Sequence, residues 1–141
     1  DYVFVGDIFS VNAAALSDLI AAGFSPVFAP ITADASGQLL NTNADTMAQA
    51  LAIALSTSYQ VTLTYCFEKK GVLLDPEDDE SVISSINPAS FQELKDKGIV
   101  SAGMIPKLEN ALKAISAGVS LVRLCHAENL QKTNIGTKIS A

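Results

Sequence analysis

Three short polar side chains surround the predicted start of a helix in the segment Asn41-Thr42-Asn43-Ala44-Asp45. Two amides and a carboxylate can hold a polar ligand in a fixed orientation. A local role also fits two of them, because Asn43 can cap the helix. Asp45 can complement the positive end of the helix dipole, an effect of about 0.3–1 kcal/mol. Asn41 has no such local role, so the segment is a candidate binding site.

A second candidate is the segment Ser101-Ala102-Gly103-Met104-Ile105-Pro106-Lys107. Pro106 predicts the first turn of a helix. Lys107 then places a cation where the helix dipole disfavours one. A helix start preceded by small residues binds anions, and a lysine there adds a point charge suited to phosphate. The alternative is a solvated lysine at a helix end.

Other residue types carry weaker signals. Thr64 is predicted to end the best strand, 60–65, where a loop could line a nucleotide pocket. Cys66 and Cys125 are far apart in the sequence and show no metal-ligand spacing, so no metal site is expected. His126 is the only histidine, which argues against zinc sites rich in histidine and against Ser-His-Asp catalysis. A Cys125–His126 pair is disfavoured because neighbours on a strand point to opposite sides.

Short apolar runs typical of strands alternate with helical patterns along the chain, and these elements must position the candidate residues. This alternation predicts an α/β fold around a mainly parallel sheet, with ligands bound where strands lead into helices. The loops of interest are therefore 38–45, 64–71 and 101–107. The predicted helices are 12–22, 43–55, 88–97, 106–117 and 127–130, and the predicted strands are 2–5, 25–31, 39–40, 60–65, 71–74, 81–86, 121–124 and 137–139.

Composition excludes several classes of protein. The 141 residues are 49% hydrophobic and 17% charged, which suits one compact domain and argues against disorder. The net charge of −6 argues against nucleic-acid and membrane-surface partners, and no apolar run is long enough to span a membrane. So few thiols favour a reducing, cytoplasmic setting. The chain begins at Asp1 without an initiator Met, so we expect a piece of a longer protein.

Six motifs in order resemble the C-terminal half of the N-acetylglutamate kinases, within the amino acid kinase family. They are VGDI (5–8), AAGFSPVFAPI (21–31), NTNAD (41–45), GVL (71–73), GMIPK (103–107) and IGTKI (135–139). The resemblance runs over essentially the whole chain. It implies a three-layer α-β-α sandwich with a mainly parallel central sheet, present as a partial domain. Residues 1–56 would end the acylglutamate-binding lobe, and residues 57–141 would form the nucleotide-binding lobe.

The resemblance implies an ATP-dependent phosphorylation in arginine biosynthesis. The acceptor would be the side-chain carboxylate of an N-acyl-L-glutamate, with an acetyl or a succinyl group, and the product an acyl phosphate. ATP would enter as its Mg²⁺ complex, with no tightly bound cofactor. The resemblance also implies a cytoplasmic homo-oligomer, a dimer or larger.

The resemblance assigns roles residue by residue. Lys107 would stabilise charge on the transferring phosphoryl group. Asp45 would orient this lysine and a second one. Asn41 would bind the α-carboxylate or amide side of the glutamate substrate, with Asn43 lining the same region. The residues around the nucleotide would be Thr64, Ser101, Gly103 and Met104.

Two departures from the family pattern leave alternatives open. Nothing here matches the family's N-terminal K-x-G-G segment, which carries the other catalytic lysine. Where the family has T-D-x-x-G-V-L, residues 64–73 read TYCFEKKGVL, which predicts a longer loop whose acidic residue is replaced by aromatics and Cys66. The alternatives are a non-catalytic module that senses nucleotides or amino acids, and a relative that phosphorylates another carboxylate or carbamate. The N-x-N-A-D motif speaks against the relative.

Overall fold

A computed structural model describes residues 4–100 and 103–141 of the chain. No helix in these two ranges is long and apolar enough to cross a membrane. The helices are α1 (Ala13–Ala21), α2 (Ala44–Ser56), α3 (Pro88–Asp96) and α4 (Ile105–Ser116), with one turn of 3₁₀ helix at Ala127–Asn129. The strands are β1 (Ile31–Ala33), β2 (Leu39–Asn41), β3 (Thr62–Phe67), β4 (Ser85–Ile86), β5 (Leu121–His126) and β6 (Thr137–Ile139).

The central sheet has the strand order β3-β5-β6-β4. Strand β3 runs parallel to β5, and β4 runs parallel to β6, while β5 and β6 are antiparallel. Strands β1 and β2 form a separate antiparallel hairpin. The prediction of an α/β fold with a mainly parallel sheet is therefore confirmed.

The core lies between this sheet and helices α2 and α4. Alternate residues of β3 and β5 point at the helices, and Leu63, Tyr65, Val122 and Leu124 are buried there. Helix α4 contributes Leu108, Ala111 and Ala114, none of which has any solvent exposure. The two alanines let α4 approach closely. Gln49 joins the two helices, because its side-chain amide donates to the carbonyl of Asn110 at 2.8 Å.

At β5, the other face of the sheet is covered by the residues that follow this strand in the sequence. The Arg123 guanidinium points to that face and donates to the carbonyls of Leu130 (2.6 Å) and Lys132 (2.9 Å). Cys125, on the same face, is fully buried, and burial raises the pKa of its thiol. The parallel register sets Cys66 of β3 beside Cys125, so the two cysteines that are far apart in sequence are neighbours, and both are free thiols.

Three helices start at a capping asparagine, as the sequence predicts for Asn43. The side chains of Asn12, Asn43 and Asn87 accept backbone N–H groups at the starts of α1, α2 and α3. Glycines with a positive φ follow the ends of α1, α3 and α4, at Gly23, Gly98 and Gly118.

The strand predicted over 25–31 is wrong. Only Ile31 of that run joins a strand, and Val27 in its middle is 95% exposed. Pro26 and Pro30 lack the N–H that a central strand must donate to its neighbour. The strand predicted over 2–5 falls partly on residues 1–3, outside the described ranges, and Val5 makes one bridge to Asn41.

The strand predicted over 81–86 divides between two partners. The strand predicted over 71–74 is reduced to one antiparallel bridge, between Leu73 and Val82, while β4 pairs with β6. The buried Thr137 hydroxyl of β6 holds both segments: it accepts from the Val72 N–H at 2.8 Å and donates to the Ile83 carbonyl at 2.7 Å.

Candidate functional site

An ion pair joins the first turns of the two core helices. Asp45 lies in the first turn of α2 and Lys107 in that of α4, and Lys107 Nζ is 2.5 Å from Asp45 Oδ2. Residues 62 positions apart in sequence are thus brought together. The two side chains are 21% (Lys107) and 37% (Asp45) exposed, so the pair sits at the rim of the core and within reach of a ligand.

Local structure explains why Asp45 is available for this pairing. The α2 start is already capped by Asn43, whose side chain accepts the Thr46 N–H at 2.9 Å. The carboxylate of Asp45 therefore crosses to α4. Helix α4 begins at Ile105, and Met104 at the cap position offers no side-chain hydrogen bond, so the first N–H groups of the helix and the Lys107 ammonium together favour an anion.

Tyr65 of β3 lies beneath the ion pair and was missed by the sequence reasoning. Lys107 Nζ lies 5.1 Å from the centroid of its ring, and its hydroxyl donates to the Asp45 backbone carbonyl at 3.2 Å. Burial, and then the Asp45 charge, raise the pKa of Tyr65 to about 12. The sequence feature that could have identified it is a tyrosine, which carries a polar hydroxyl, at an inward-facing position of the strand with the clearest pattern.

A cleft of about 230 Å³ opens beyond the carboxyl end of β3. Its walls come from the end of β3, the 71–76 segment and the approach to α4. Of the predicted nucleotide residues, Met104 lines this cleft and Gly103 adjoins it in an exposed turn, while Ser101 lies outside the described ranges. The lining residues are Phe67, Glu68, Lys69, Gly71, Val72, Leu73, Pro76, Ile99, Val100 and Met104.

Thr64 does not end its strand, and that prediction is wrong. Pairing with β5 continues to Phe67 opposite His126, so Thr64 lies inside β3 and does not line the cleft. The prediction of a longer loop is wrong for the same reason. Residues 67–73, FEKKGVL, match the spacing of T-D-x-x-G-V-L, and Glu68 supplies the acidic residue at the cleft.

Two ion pairs connect this loop to the acidic turn at residues 75–80. Lys69 Nζ is 2.9 Å from Asp79 Oδ1, and Lys70 pairs with Glu80. The hydrogen bond to Asp79 raises the pKa of Lys69, and its partner carboxyl has a correspondingly lowered pKa. All four side chains are well exposed, so these pairs add little to the stability of the fold, and of the four only Lys69 lines the cleft.

Asn41 and Asn43 lie on either side of a buried threonine. Thr42 is 4% exposed, and its hydroxyl contacts Thr32 Oγ1 at 2.8 Å and the Gly6 carbonyl at 3.1 Å. Alternation along the extended chain points Asn41 and Asn43 to the opposite side. Asn41 is exposed, and among the described residues its hydrogen bonds are those of its backbone, to Phe4 and Gly6.

The arrangement can bind and stabilise a transferring anionic group. It combines an oriented ammonium, an uncapped helix start and, at Met104 just before that helix, a cleft whose lining is mainly apolar. Within residues 4–100 and 103–141, no group of three His, Cys, Asp or Glu side chains is placed to hold a metal ion.

Comparison with known proteins agrees with this geometry. The amino acid kinase family model matches residues 2–126. Acetylglutamate kinase of Cytophaga hutchinsonii is 51% identical, and the match covers 100% of this chain and 55% of that protein. Acetylglutamate kinase of Bacteroides fragilis is 55% identical, and the match covers 99% of this chain and 53% of that protein. The solved structure of smu.665 from Streptococcus mutans is 33% identical with a TM-score of 0.80, over 100% of this chain and 55% of that one. The chain spans about half the length of the curated relatives it matches.

Proposed function

The chain belongs to the amino acid kinase family, and from that premise we propose that the whole protein phosphorylates the side-chain carboxylate of an N-acyl-L-glutamate with ATP. The acyl group is acetyl or succinyl, and the acyl phosphate product serves arginine biosynthesis. The observation that carries the proposal is the Asp45–Lys107 pair, at the junction of two helix starts. The names of the curated relatives support the same reaction.

Lys107 acts on the phosphoryl group in transfer. Both reactants are anionic, so catalysis depends on holding them in line and offsetting their repulsion. An ammonium has three N–H donors, and Asp45 engages one of them. The others are available to oxygens of the transferring group, where negative charge is spread in the transition state.

Asp45 fixes the direction of this ammonium. A lysine side chain is long and flexible, and orienting it before the reactants bind removes an entropic cost from the reaction. The carboxylate also orients a second lysine, contributed by the family's other half.

The nucleotide occupies the cleft beyond β3. Gly103, Met104 and Ser101 lead into the uncapped start of α4, where backbone N–H groups suit phosphates. The apolar walls, including Phe67 and Val100, suit a base. ATP binds as its Mg²⁺ complex. Thr64, inside the sheet, has no part in this site.

The acylglutamate binds beside Asn41 and Asn43. The exposed Asn41 amide contacts the α-carboxylate or amide side of the substrate, and Asn43 lines the same region while it caps α2. Residues 1–56 accordingly belong to the acylglutamate lobe, and residues 57–141 to the nucleotide lobe. We place the whole protein in the cytoplasm as a homo-oligomer, a dimer or larger.

Trapping the product tests this proposal. The full-length protein is incubated with MgATP, hydroxylamine and each of N-acetyl-L-glutamate, N-succinyl-L-glutamate and free L-glutamate. The expected result is a hydroxamate from one N-acylated substrate, because hydroxylamine captures an acyl phosphate. Tight binding of ATP or an acylglutamate without any hydroxamate would instead support a sensing module.

A further inference from the structure

We propose that Tyr65 is a positioning residue for the catalytic ion pair, holding the Lys107 ammonium over its ring and the first turn of α2 by its hydroxyl. The proposal rests on the proposed function and extends it to a residue of the central strand. Tyr65 is 4% exposed and faces the starts of the two helices, where its ring and its hydroxyl contact different groups.

Tyr65 contacts both members of the pair by different groups. Its ring faces Lys107 Nζ at 5.1 Å from the centroid, within the range of a cation–π interaction. Its hydroxyl donates to the backbone carbonyl of Asp45 at 3.2 Å. One side chain of the sheet thus connects the starts of α2 and α4.

The ring suits this task better than a second carboxylate would. It attracts the ammonium through its quadrupole and adds no negative charge beside an incoming phosphate. Its hydroxyl remains protonated at neutral pH, since the pKa of Tyr65 is raised to about 12. The lysine is therefore held in place while its charge remains available to the reacting group.

Kinetics of the full-length protein test the proposal. We expect Tyr65→Leu to lower kcat about tenfold with the KM for ATP changed less than about twofold, because small misplacements of catalytic groups cost up to about 100-fold in rate. Tyr65→Phe keeps the ring and loses only the hydroxyl, so we expect its kcat to fall about threefold. This variant provides the test if Tyr65→Leu does not fold. A wild-type kcat in both variants would overturn the proposal.

A double-mutant cycle separates positioning from a merely structural role. In a Lys107→Met background, Tyr65→Leu should change the residual transfer rate less than about twofold, because its target is gone. A repeated tenfold loss there would overturn the proposal. The matched control is Leu63→Ala, on the same strand and the same buried face, which should lower Tm while retaining kcat.

A spectroscopic measurement is independent of turnover. In full-length protein with ¹³C-methylated lysines, the Lys107 methyl signal, assigned from Lys107→Arg, should lie upfield because the ring shields it. Tyr65→Leu should remove this shift, and an unchanged signal would overturn the proposal. If the shift is present but no N-acylglutamate is phosphorylated, the proposed function fails while the contact of Tyr65 with Lys107 stands.

Discussion

Replacing Lys107 by methionine should separate catalysis from stability. Methionine keeps the apolar stem but removes the ammonium that pairs with Asp45 and lies over the Tyr65 ring. With side chains 21% and 37% exposed, the pair contributes about 1 kcal/mol to stability, and the cation–π contact about 0.5–1 kcal/mol. The Asp45 carboxylate left behind sits in a first helical turn, where the dipole favours it. We expect the free energy of unfolding to fall by about 1–2 kcal/mol.

The catalytic loss in the same variant should be larger. Removing one group that stabilises transition-state charge costs about 10²–10³ in kcat, or about 2.7–4 kcal/mol. Urea unfolding gives the stability change, and single-turnover transfer in the full-length protein gives the rate change. The matched control is Lys113→Met, an exposed lysine in the last turn of α4, which should keep both values near wild type. A Lys107→Met variant that folds and retains kcat within tenfold would refute the reasoning.

Three further predictions concern the surrounding residues. Asn41→Ala should raise the KM for the N-acylglutamate about tenfold and leave Tm unchanged, because the proposed site places its exposed amide against the ligand; an unchanged KM would remove Asn41 from the site. Gly103→Ala should leave Tm unchanged, since an added Cβ meets no atom of the described residues within 4 Å, but it should raise the KM for ATP about tenfold if phosphates approach the backbone. Gly71→Ala, whose Cβ would lie 2.7 Å from Val82 Cγ1, is the contrasting variant that should destabilise the fold. Ultraviolet titration should show one tyrosine ionising near pH 12, and Tyr65→Phe should remove it. Because that pKa is raised on folding, the stabilisation by Tyr65 is complete below pH 10 and is lost as the pH rises toward 12.

Local chemistry explains the parts of the fold that were predictable. An asparagine before an apolar periodic run caps α1, α2 and α3 regardless of what packs on them. Glycines with positive φ end helices for equally local reasons. The apolar run at 25–31 does not form a strand before Ile31, because its two prolines lack the N–H on which strand pairing depends.

The candidate site was predictable in its residues and less so in its contacts. Lys107 stood out because a cation in a first helical turn is unfavourable without a partner, and that partner is Asp45. The extent of β3 was not predictable, because it depends on pairing with β5, more than 50 residues later. Because of that pairing, the strand continues past Thr64 to Phe67, and Glu68 is the first residue of the loop that follows. The same pairing places Tyr65 under the ion pair.

The central claim is that Lys107, oriented by Asp45, acts on the phosphoryl group in transfer. The most direct test is a crystal structure of the full-length protein with its N-acylglutamate, MgADP and aluminium fluoride in place of the transferring group. The account predicts Lys107 Nζ within about 3 Å of that group, with Asp45 still bonded to the lysine. A lysine that remains on Asp45 and is separated from the group by water would contradict it.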